Sequence, residues 1–111
     1  EPLVAFTYDD GFEECHSSIV PVLDSYGISA AFFINPNFID GDETYKSDFR
    51  QRVKTPKNPM TWEQIKDINK RGHVIGAHTM DHINLGAELL DDSMLNYQIV
   101  GCKKVIEEKV G

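Results

Sequence analysis

Long apolar segments, cysteines and basic residues are all scarce in this chain of 111 residues. The longest apolar run, Ala30–Ile34, falls far short of the roughly 20 residues that a membrane-spanning helix needs, so no membrane span is expected. The two cysteines, Cys15 and Cys102, are too few for a disulfide framework and lack the spacing of a metal site. The 11 basic residues are outnumbered by 18 acidic ones, and a net charge of −7 argues against nucleic-acid binding.

What the chain does contain suits one globular domain, because 41% of its residues are hydrophobic and 26% are charged. We therefore predict a single domain over residues 1–111, without repeats or an interdomain linker. Cys102 falls on an apolar helix face and is predicted to be a buried free thiol. The chain begins at Glu1 rather than Met, so the lack of a visible signal peptide excludes no compartment.

Apolar patterning predicts strands and helices in alternation. Strands are predicted at Leu3–Tyr8, Ile28–Ile34 and Val74–Ala77, the first two as runs buried on both faces. Helices are predicted at Ser17–Tyr26, about Thr44–Arg52, Thr61–Arg71, and from Asp91 or Asp92 to Lys109. This order is typical of βαβ units, so the predicted fold class is α/β with a parallel sheet.

Local signals fix some details of these helices. The first is expected to be capped by Ser17 or Ser18, with Pro21 in its first turn. Thr61 and Gln64 have the spacing of a capping box. The side chains predicted to face the core are Ile19, Val22, Leu23 and Tyr26 in the first helix, and Leu95, Ile99, Cys102 and Ile106 in the last.

Two pairs of polar residues follow predicted strands. Asp9 and Asp10 come directly after the first strand and are stopped by Gly11, and His78 ends the third strand, four residues before His82. Since the carboxyl ends of parallel strands lie at one edge of a sheet, we expect both pairs at the same rim.

Two imidazoles and one carboxylate are a common ligand set for Zn²⁺, and three protein ligands leave a position open for water. We predict Asp10, His78 and His82 as these ligands, with a helical turn starting at His78 so that both rings point the same way. A turn at Gly11 would splay the two acids apart and free Asp9 to act as a general base.

Less specific interpretations compete with this one. Two acids before a glycine most often form a solvated turn, and H-x-x-x-H without the glutamate of H-E-x-x-H is a weak signal. Their joint placement at strand ends favours the metal site. A surface or capping role is predicted for His16 and a structural role for His73, at the far end of the third strand. Trp62, Tyr8 and the Phe32-Phe33 pair are predicted to be core residues.

The motifs resemble those of a known family. Residues 7–11 (TYDDG), and residues 78–82 (HTMDH) preceded by RGHVIGA, are similar to the first two motifs of the polysaccharide deacetylases, the NodB-homology or carbohydrate esterase family 4 domain. Residues 26–33 (YGISAAFF) and 60–65 (MTWEQI) resemble further segments of that family. The resemblance runs from about Val4 to the end of the chain.

The resemblance implies metal-dependent removal of acetyl groups from N-acetylglucosamine polymers or O-acetylated glycans, on a distorted (β/α) barrel. Asp9 matches the catalytic base, and Asp10, His78 and His82 match the metal triad. Thr79 matches a small hydroxyl residue that supports the second motif. The expected cofactor is a divalent ion, with Zn²⁺ favoured and Co²⁺ as an alternative. The compartment stays open, although the family makes the cell envelope or another extracytoplasmic site an expectation.

The chain departs from the family in its length. Three further family motifs do not occur in it: an Arg-x-Pro-Tyr segment, an Asp/Trp segment and a late Leu-x-His that supplies the catalytic acid. Since a full barrel takes about 250 residues, we predict the N-terminal portion of one NodB-like domain, the first half of the barrel. An unpaired strand edge and an uncovered apolar face then predict self-association. Two alternatives are a non-catalytic carbohydrate-binding remnant and a metal-dependent amidase or phosphoesterase for small molecules.

Overall fold

Three short parallel strands organise the chain. A computed structural model describes residues 3–86 and 89–111. The strands are β1 (Thr7–Asp9), β2 (Ala31–Ile34) and β3 (Val74–Ala77), in the spatial order β1-β2-β3. All pairing is parallel, with Tyr8 opposite Phe32 and Phe32 opposite Ile75. The predicted parallel α/β class is confirmed, and the carboxyl ends of the three strands meet at one edge.

Helices connect and cover the strands. They are α1 (Val20–Ser25), α2 (Pro36–Asp40), α3 (Glu43–Arg52), α4 (Trp62–Lys70), α5 (Asp92–Leu95) and α6 (Cys102–Val110). Two π-helical turns join this set, Cys15–Ile19 before α1 and Asn96–Gly101 between α5 and α6. Among the residues that the structure describes, no helix is both long and apolar enough to cross a membrane.

The first strand is shorter and more exposed than predicted. Only Thr7–Asp9 form β1, and Leu3, Val4 and Phe6 are 96%, 79% and 42% exposed. The expectation of a strand buried on both faces is therefore wrong. Burial of an apolar run depends on what covers it. Within residues 3–86 and 89–111, β1 pairs only with β2, and Leu3 and Val4 lie beyond that pairing.

The first helix also differs from its prediction. It begins with the π turn Cys15–Ile19, whose N-cap, Glu14, makes no side-chain capping bond, so the predicted serine cap is wrong. Pro21 lies at the start of α1, as expected for the regular part of the helix. A proline cannot donate to the carbonyl four residues earlier, and the wider turn before it accommodates that missing bond.

The π turn changes which side chains of this helix face inward. Val20 is fully buried and Leu23 is 6% exposed, whereas Val22 and Tyr26 are 57% and 76% exposed. The predicted stripe was therefore wrong at Val22 and Tyr26, because an inserted residue rotates the helix face that follows it. Gly27 has φ +66° after the helix, the left-handed conformation expected of its C′ residue.

The other helices follow their signals more closely. Helix α3 confirms the predicted segment near Thr44–Arg52, while α2 was not predicted. The capping box of α4 is present, since Gln64 N–H donates to Thr61 Oγ1 at 3.2 Å and Thr61 N–H donates to Gln64 Oε1 at 2.9 Å. The last helix forms where predicted, but its π turn leaves Ile99 49% exposed.

The core lies between one face of the sheet and helices α1, α4 and α6. Its most buried members are Val20, Phe32, Ile34, Met60, Ile65, Ile68 and Cys102. Tyr8 packs against this core and stacks on Phe32, with ring centroids 5.2 Å apart, and Trp62 is partly buried against it. Phe33 is only half-buried, unlike its fully buried neighbour, so the predictions of a second strand buried on both faces and of Phe33 as a core residue are wrong. Cys15 and Cys102 are both buried free thiols, as predicted for Cys102.

Candidate metal centre

The turn after β1 sets the two acids apart. Asp9 ends the strand and is exposed, while Asp10 follows with φ +73° and a side chain that is only 17% exposed. Gly11 continues the turn with φ +68°, and a Cβ there would lie 3.0 Å from Ile34 Cγ2. Aspartate tolerates the left-handed region better than most residues, and glycine adopts it freely. The turn therefore leaves one carboxylate open to solvent and the other largely buried.

The two histidines do not lie on a helical turn. Residues 78–82 form an irregular loop after β3, in which Thr79 and His82 have φ +67° and +55°. The predicted helical turn at His78 is therefore wrong. Left-handed backbone costs roughly 1–2 kcal/mol at each non-glycine residue, so surrounding contacts must hold this loop. It is the irregular loop that brings the two rings together.

The three predicted ligands converge on one point. Asp10 Oδ1 lies 3.3 Å from His78 Nε2 and 3.1 Å from His82 Nε2. One ligand atom from each residue lies within 4.8 Å of the other two. The imidazole side chains are 33% and 35% exposed, so the group is open on one side. The structure thus assembles a carboxylate and two imidazoles at the edge where the strands end.

The donor set fits a divalent cation. Asp10 Oδ1 is buried and accepts no hydrogen bond from any described residue, although two ring nitrogens lie within 3.3 Å. The nitrogens face this oxygen without hydrogen-bond geometry, which is how ligands around a shared ion are arranged. A tetrahedral Zn²⁺ site with bonds of 2.0–2.1 Å places its ligand atoms roughly 3.3 Å apart. Both measured separations agree with that value.

Contacts from outside the loop hold its two ends. The Asn35 side-chain amide, which is 1% exposed, donates to the carbonyls of His78 and Thr79 at 2.5 and 2.9 Å. At the other end, the guanidinium of Arg52 donates to the carbonyls of Asp81 and His82 at 2.9 and 3.1 Å. Neither residue was predicted from the sequence. The one available signal was that Asn35 directly follows β2 at the same rim.

Asp81 is the most heavily bonded side chain of this loop. It accepts hydrogen bonds from Asn37 Nδ2 at 2.8 Å, from Gln98 Nε2 at 2.6 Å and from the Tyr45 hydroxyl. Burial raises the pKa of Asp81, but these three hydrogen bonds and the charge of Arg52 together outweigh burial and leave its pKa below the usual value. Burial is also the main cause that raises the pKa of Tyr45, followed by its bond to Asp81.

The remaining predicted residues lie as follows. Thr79 is in the loop, but its Oγ1 is buried without a hydrogen-bond partner among the described residues, so its side-chain support stays a prediction. His16 is partly buried, and its Nε2 lies 2.8 Å from Asp67 Oδ2. His73 is buried at the opposite end of β3, where it bonds Asp24 Oδ1 at 2.8 Å, in keeping with a structural role.

A cavity of about 340 Å³ opens beside the imidazole rings. It is lined by Arg52, His78, Thr79, His82, Ile83 and Asn84. The ligand set therefore borders space in which a substrate group can approach it.

Comparison with known proteins agrees with this geometry. The family model described as polysaccharide deacetylase matches residues 1–111. The chain belongs to the polysaccharide deacetylase family. The resemblance seen in the two sequence motifs is thereby confirmed.

A curated relative and two solved structures show the extent of the likeness. The peptidoglycan-N-acetylglucosamine deacetylase of Bacillus cereus is 31% identical over 111 residues, which are 99% of this chain and 42% of that protein. The Streptococcus pyogenes deacetylase PplD in complex with acetate superposes with a TM-score of 0.76 at 17% identity, over 99% of this chain and 42% of that one. For IcaB from Ammonifex degensii the TM-score is 0.75 at 24% identity, over 98% and 46%.

The chain spans less than half the length of the curated relatives that it matches, 42% of the Bacillus cereus protein and 25% of one from Bacillus subtilis. The two structural likenesses show that this chain shares the parallel α/β fold of those two proteins. The described strands correspond to a part of that fold.

Proposed function

We propose that this chain carries the metal centre and the general base of a hydrolase that removes acetyl groups from a polysaccharide. The observation that carries the proposal is the buried, unpartnered Oδ1 of Asp10, faced by Nε2 of His78 and His82 at 3.3 and 3.1 Å. Family membership supports deacetylation as the reaction. The proposed substrate is a polymer containing N-acetylglucosamine, because the Bacillus cereus relative is named as a deacetylase of that sugar in peptidoglycan.

Asp10, His78 and His82 would hold a divalent ion, with Zn²⁺ favoured because nitrogen and carboxylate ligands suit it and Co²⁺ as the alternative. When bound, such an ion lowers the pKa of water towards about 7 and polarises a carbonyl group. The protein's part is to fix three ligand atoms at one point and leave the exposed side of the imidazoles free for the acetyl group.

Asp9 is proposed as the general base. Its carboxylate is exposed beside Asp10, and no described residue donates a hydrogen bond to it or forms an ion pair with it. A carboxylate in this state is free to accept the proton of the attacking water, and a positioned base typically contributes about 10²–10⁴-fold to the rate. The water oxygen bonds to the acetyl carbon, the carbon–nitrogen bond breaks, and the proton that Asp9 accepted passes to the leaving nitrogen, so that the products are acetate and the free amine of the sugar.

The two imidazoles are each about one-third exposed at the rim. A polysaccharide that lies across this rim can present one acetamido group at a time.

Acetate release by the full-length protein tests the proposal, with N-acetylchitooligosaccharides, peptidoglycan and acetylated xylan as substrates. Asp10→Asn should lose both the ion and turnover. Asp9→Asn should keep the ion and lose turnover by about 10²-fold or more. The matched control is Asp48→Asn on the exposed face of α3, which should change neither.

Release from the first two substrates only would support N-deacetylation. Glycan binding without acetate release would instead identify the carbohydrate-binding alternative. Turnover that survives Asp10→Asn would contradict the proposed site.

A further inference from the structure

The loop between the two histidines has a backbone conformation that its own residues do not favour. Both Thr79 and His82 have left-handed backbone, although neither is glycine or asparagine. A five-residue segment with two such positions relaxes readily to other conformations, and any relaxation moves the two rings relative to one another. Something outside the segment must select this conformation.

The contacts on Asp81 come from three separate elements. Asn37 lies in α2, Tyr45 in α3 and Gln98 in the π turn before α6, and each donates a hydrogen bond to this one carboxylate. Gln98 is only 1% exposed, and its Oε1 also accepts the backbone N–H of Asp81 at 3.1 Å. An aspartate in a surface loop is ordinarily solvated. Here its carboxylate ties the loop to the rest of the fold.

The position of Asp81 makes this tie specific to the proposed metal centre. It immediately precedes His82, and its backbone carbonyl is held by Arg52 at 2.9 Å. The ring of His82 packs edge-on against Phe49, with centroids 5.7 Å apart. Displacing Asp81 would therefore displace the His82 ring relative to Asp10.

We propose that Asp81 is a positioning residue, which holds the loop in the one conformation that brings His78 and His82 to Asp10. The inference rests on the metal site of the proposed function and adds to it a buried hydrogen-bonded support, made by Tyr45, Asn37 and Gln98. None of these side chains touches the ion site directly.

Exchanging the carboxylate at position 81 and the amide at position 98 gives a sharp test. In Asp81→Asn, an amide oxygen kept towards Tyr45 and Asn37 leaves the new amide group facing the Gln98 amide, donor against donor. In the opposite orientation the new amide group would face the Asn37 amide in the same way. Rotating the glutamine does not help, because its oxygen already accepts the Asp81 N–H. Combining Asp81→Asn with Gln98→Glu restores an acceptor opposite each donor, while the bonds from Tyr45 and Asn37 stay possible.

Zn²⁺ affinity of the folded chain is the readout, measured by competition with a chromophoric chelator. Substituting a residue that supports a metal ligand typically changes the metal affinity by about 10–100-fold. We expect Asp81→Asn to weaken binding by about tenfold, Gln98→Glu alone to weaken it as well, and the double variant to return to within about threefold of the parent. Tyr45→Phe removes one hydrogen bond to Asp81 without changing any residue of the loop, and it should weaken Zn²⁺ binding by about threefold.

Tyr26→Phe, at a side chain that is 76% exposed, is the matched control and should bind as the parent does. Thermal unfolding in EDTA separates positioning from stability, because a purely structural role would lower the midpoint and leave the affinity of the folded protein unchanged. Affinity of Asp81→Asn within twofold of the parent, or a double variant as weak as the single one, would overturn the inference. If Asp81→Asn does not fold, parent-like affinity of Tyr45→Phe overturns it. A parent chain that binds no Zn²⁺ would overturn the metal site as well.

Discussion

His73 offers the sharpest test of what stabilises the fold away from the site. It is 3% exposed, its Nδ1 accepts the backbone N–H of Ala30 at 3.0 Å, and its Nε2 lies 2.8 Å from Asp24 Oδ1. The ring also packs edge-on against Phe32, with centroids 5.7 Å apart. One buried side chain thus joins the starts of β2 and β3 to the end of α1.

Replacing this residue by phenylalanine keeps a ring of similar size and removes both hydrogen bonds. The buried N–H of Ala30 then has no acceptor, which costs about 1–3 kcal/mol. Losing the bond to Asp24 adds little, because that carboxylate is 34% exposed and water replaces the imidazole. We therefore expect His73→Phe to lower the free energy of unfolding by about 2 kcal/mol, and the midpoint of thermal unfolding by about 8 °C for a chain of this size.

Urea unfolding in EDTA, followed by the fluorescence of the single tryptophan, Trp62, measures the change directly. The matched control is His16→Phe, which removes the hydrogen-bonded contact with the partly exposed Asp67 and leaves no buried backbone group without a partner. Its effect should be clearly smaller. A free energy of unfolding for His73→Phe within about 0.5 kcal/mol of the parent would contradict the stabilising role of His73, as would equal effects of the two substitutions.

The pH dependence of stability, the turn at Gly11 and the two thiols provide further tests. The hydrogen bond from His73 is the main reason that the pKa of Asp24 lies below its ordinary value of 3.8. The stabilisation that the ionised carboxylate gives is therefore complete above that pH and is lost as the pH falls through the lower, folded value. Urea midpoints measured from pH 5 down to pH 2 should accordingly fall less steeply in His73→Phe than in the parent. Gly11→Ala places a Cβ on a residue with left-handed backbone, 3.0 Å from a side chain of β2. The free energy of unfolding should therefore drop by at least about 1–2 kcal/mol. An unchanged urea midpoint would contradict this. Burial raises the pKa of Cys15 to about 11, and Cys102 is fully buried. Neither thiol should therefore react with a disulfide reagent at pH 8 until the protein unfolds. Rapid labelling of the native chain would count against the described core.

Some elements were predictable because their signals are local. The bounds of β3, Val74–Ala77, and the capping box of Thr61 and Gln64 follow from residues within the segments themselves. The meeting of Asp10 with the two histidines was predictable for a different reason. Parallel strands leave their carboxyl ends at one edge, so residues that follow different strands become neighbours.

What the sequence did not reveal depends on contacts between distant residues. No local pattern indicates left-handed backbone at Thr79 or His82, since the side chains around Asp81 select it from 17 to 44 positions away. The exposure of Leu3 and Val4 depends on what covers the sheet, which an apolar run cannot specify. The π turn before Pro21 rotates the helix that follows it. Regular 3.6-residue spacing therefore assigned some of its side chains to the wrong face.

Anomalous X-ray scattering at the zinc edge, from crystals of the metal-loaded chain, shows whether Asp10, His78 and His82 hold a metal ion. We expect one ion per chain, bonded to Asp10 Oδ1 and to Nε2 of His78 and His82, and none in crystals of Asp10→Ala. Metal-replete crystals with no anomalous peak among these three side chains would contradict it, as would a peak that persists there in Asp10→Ala.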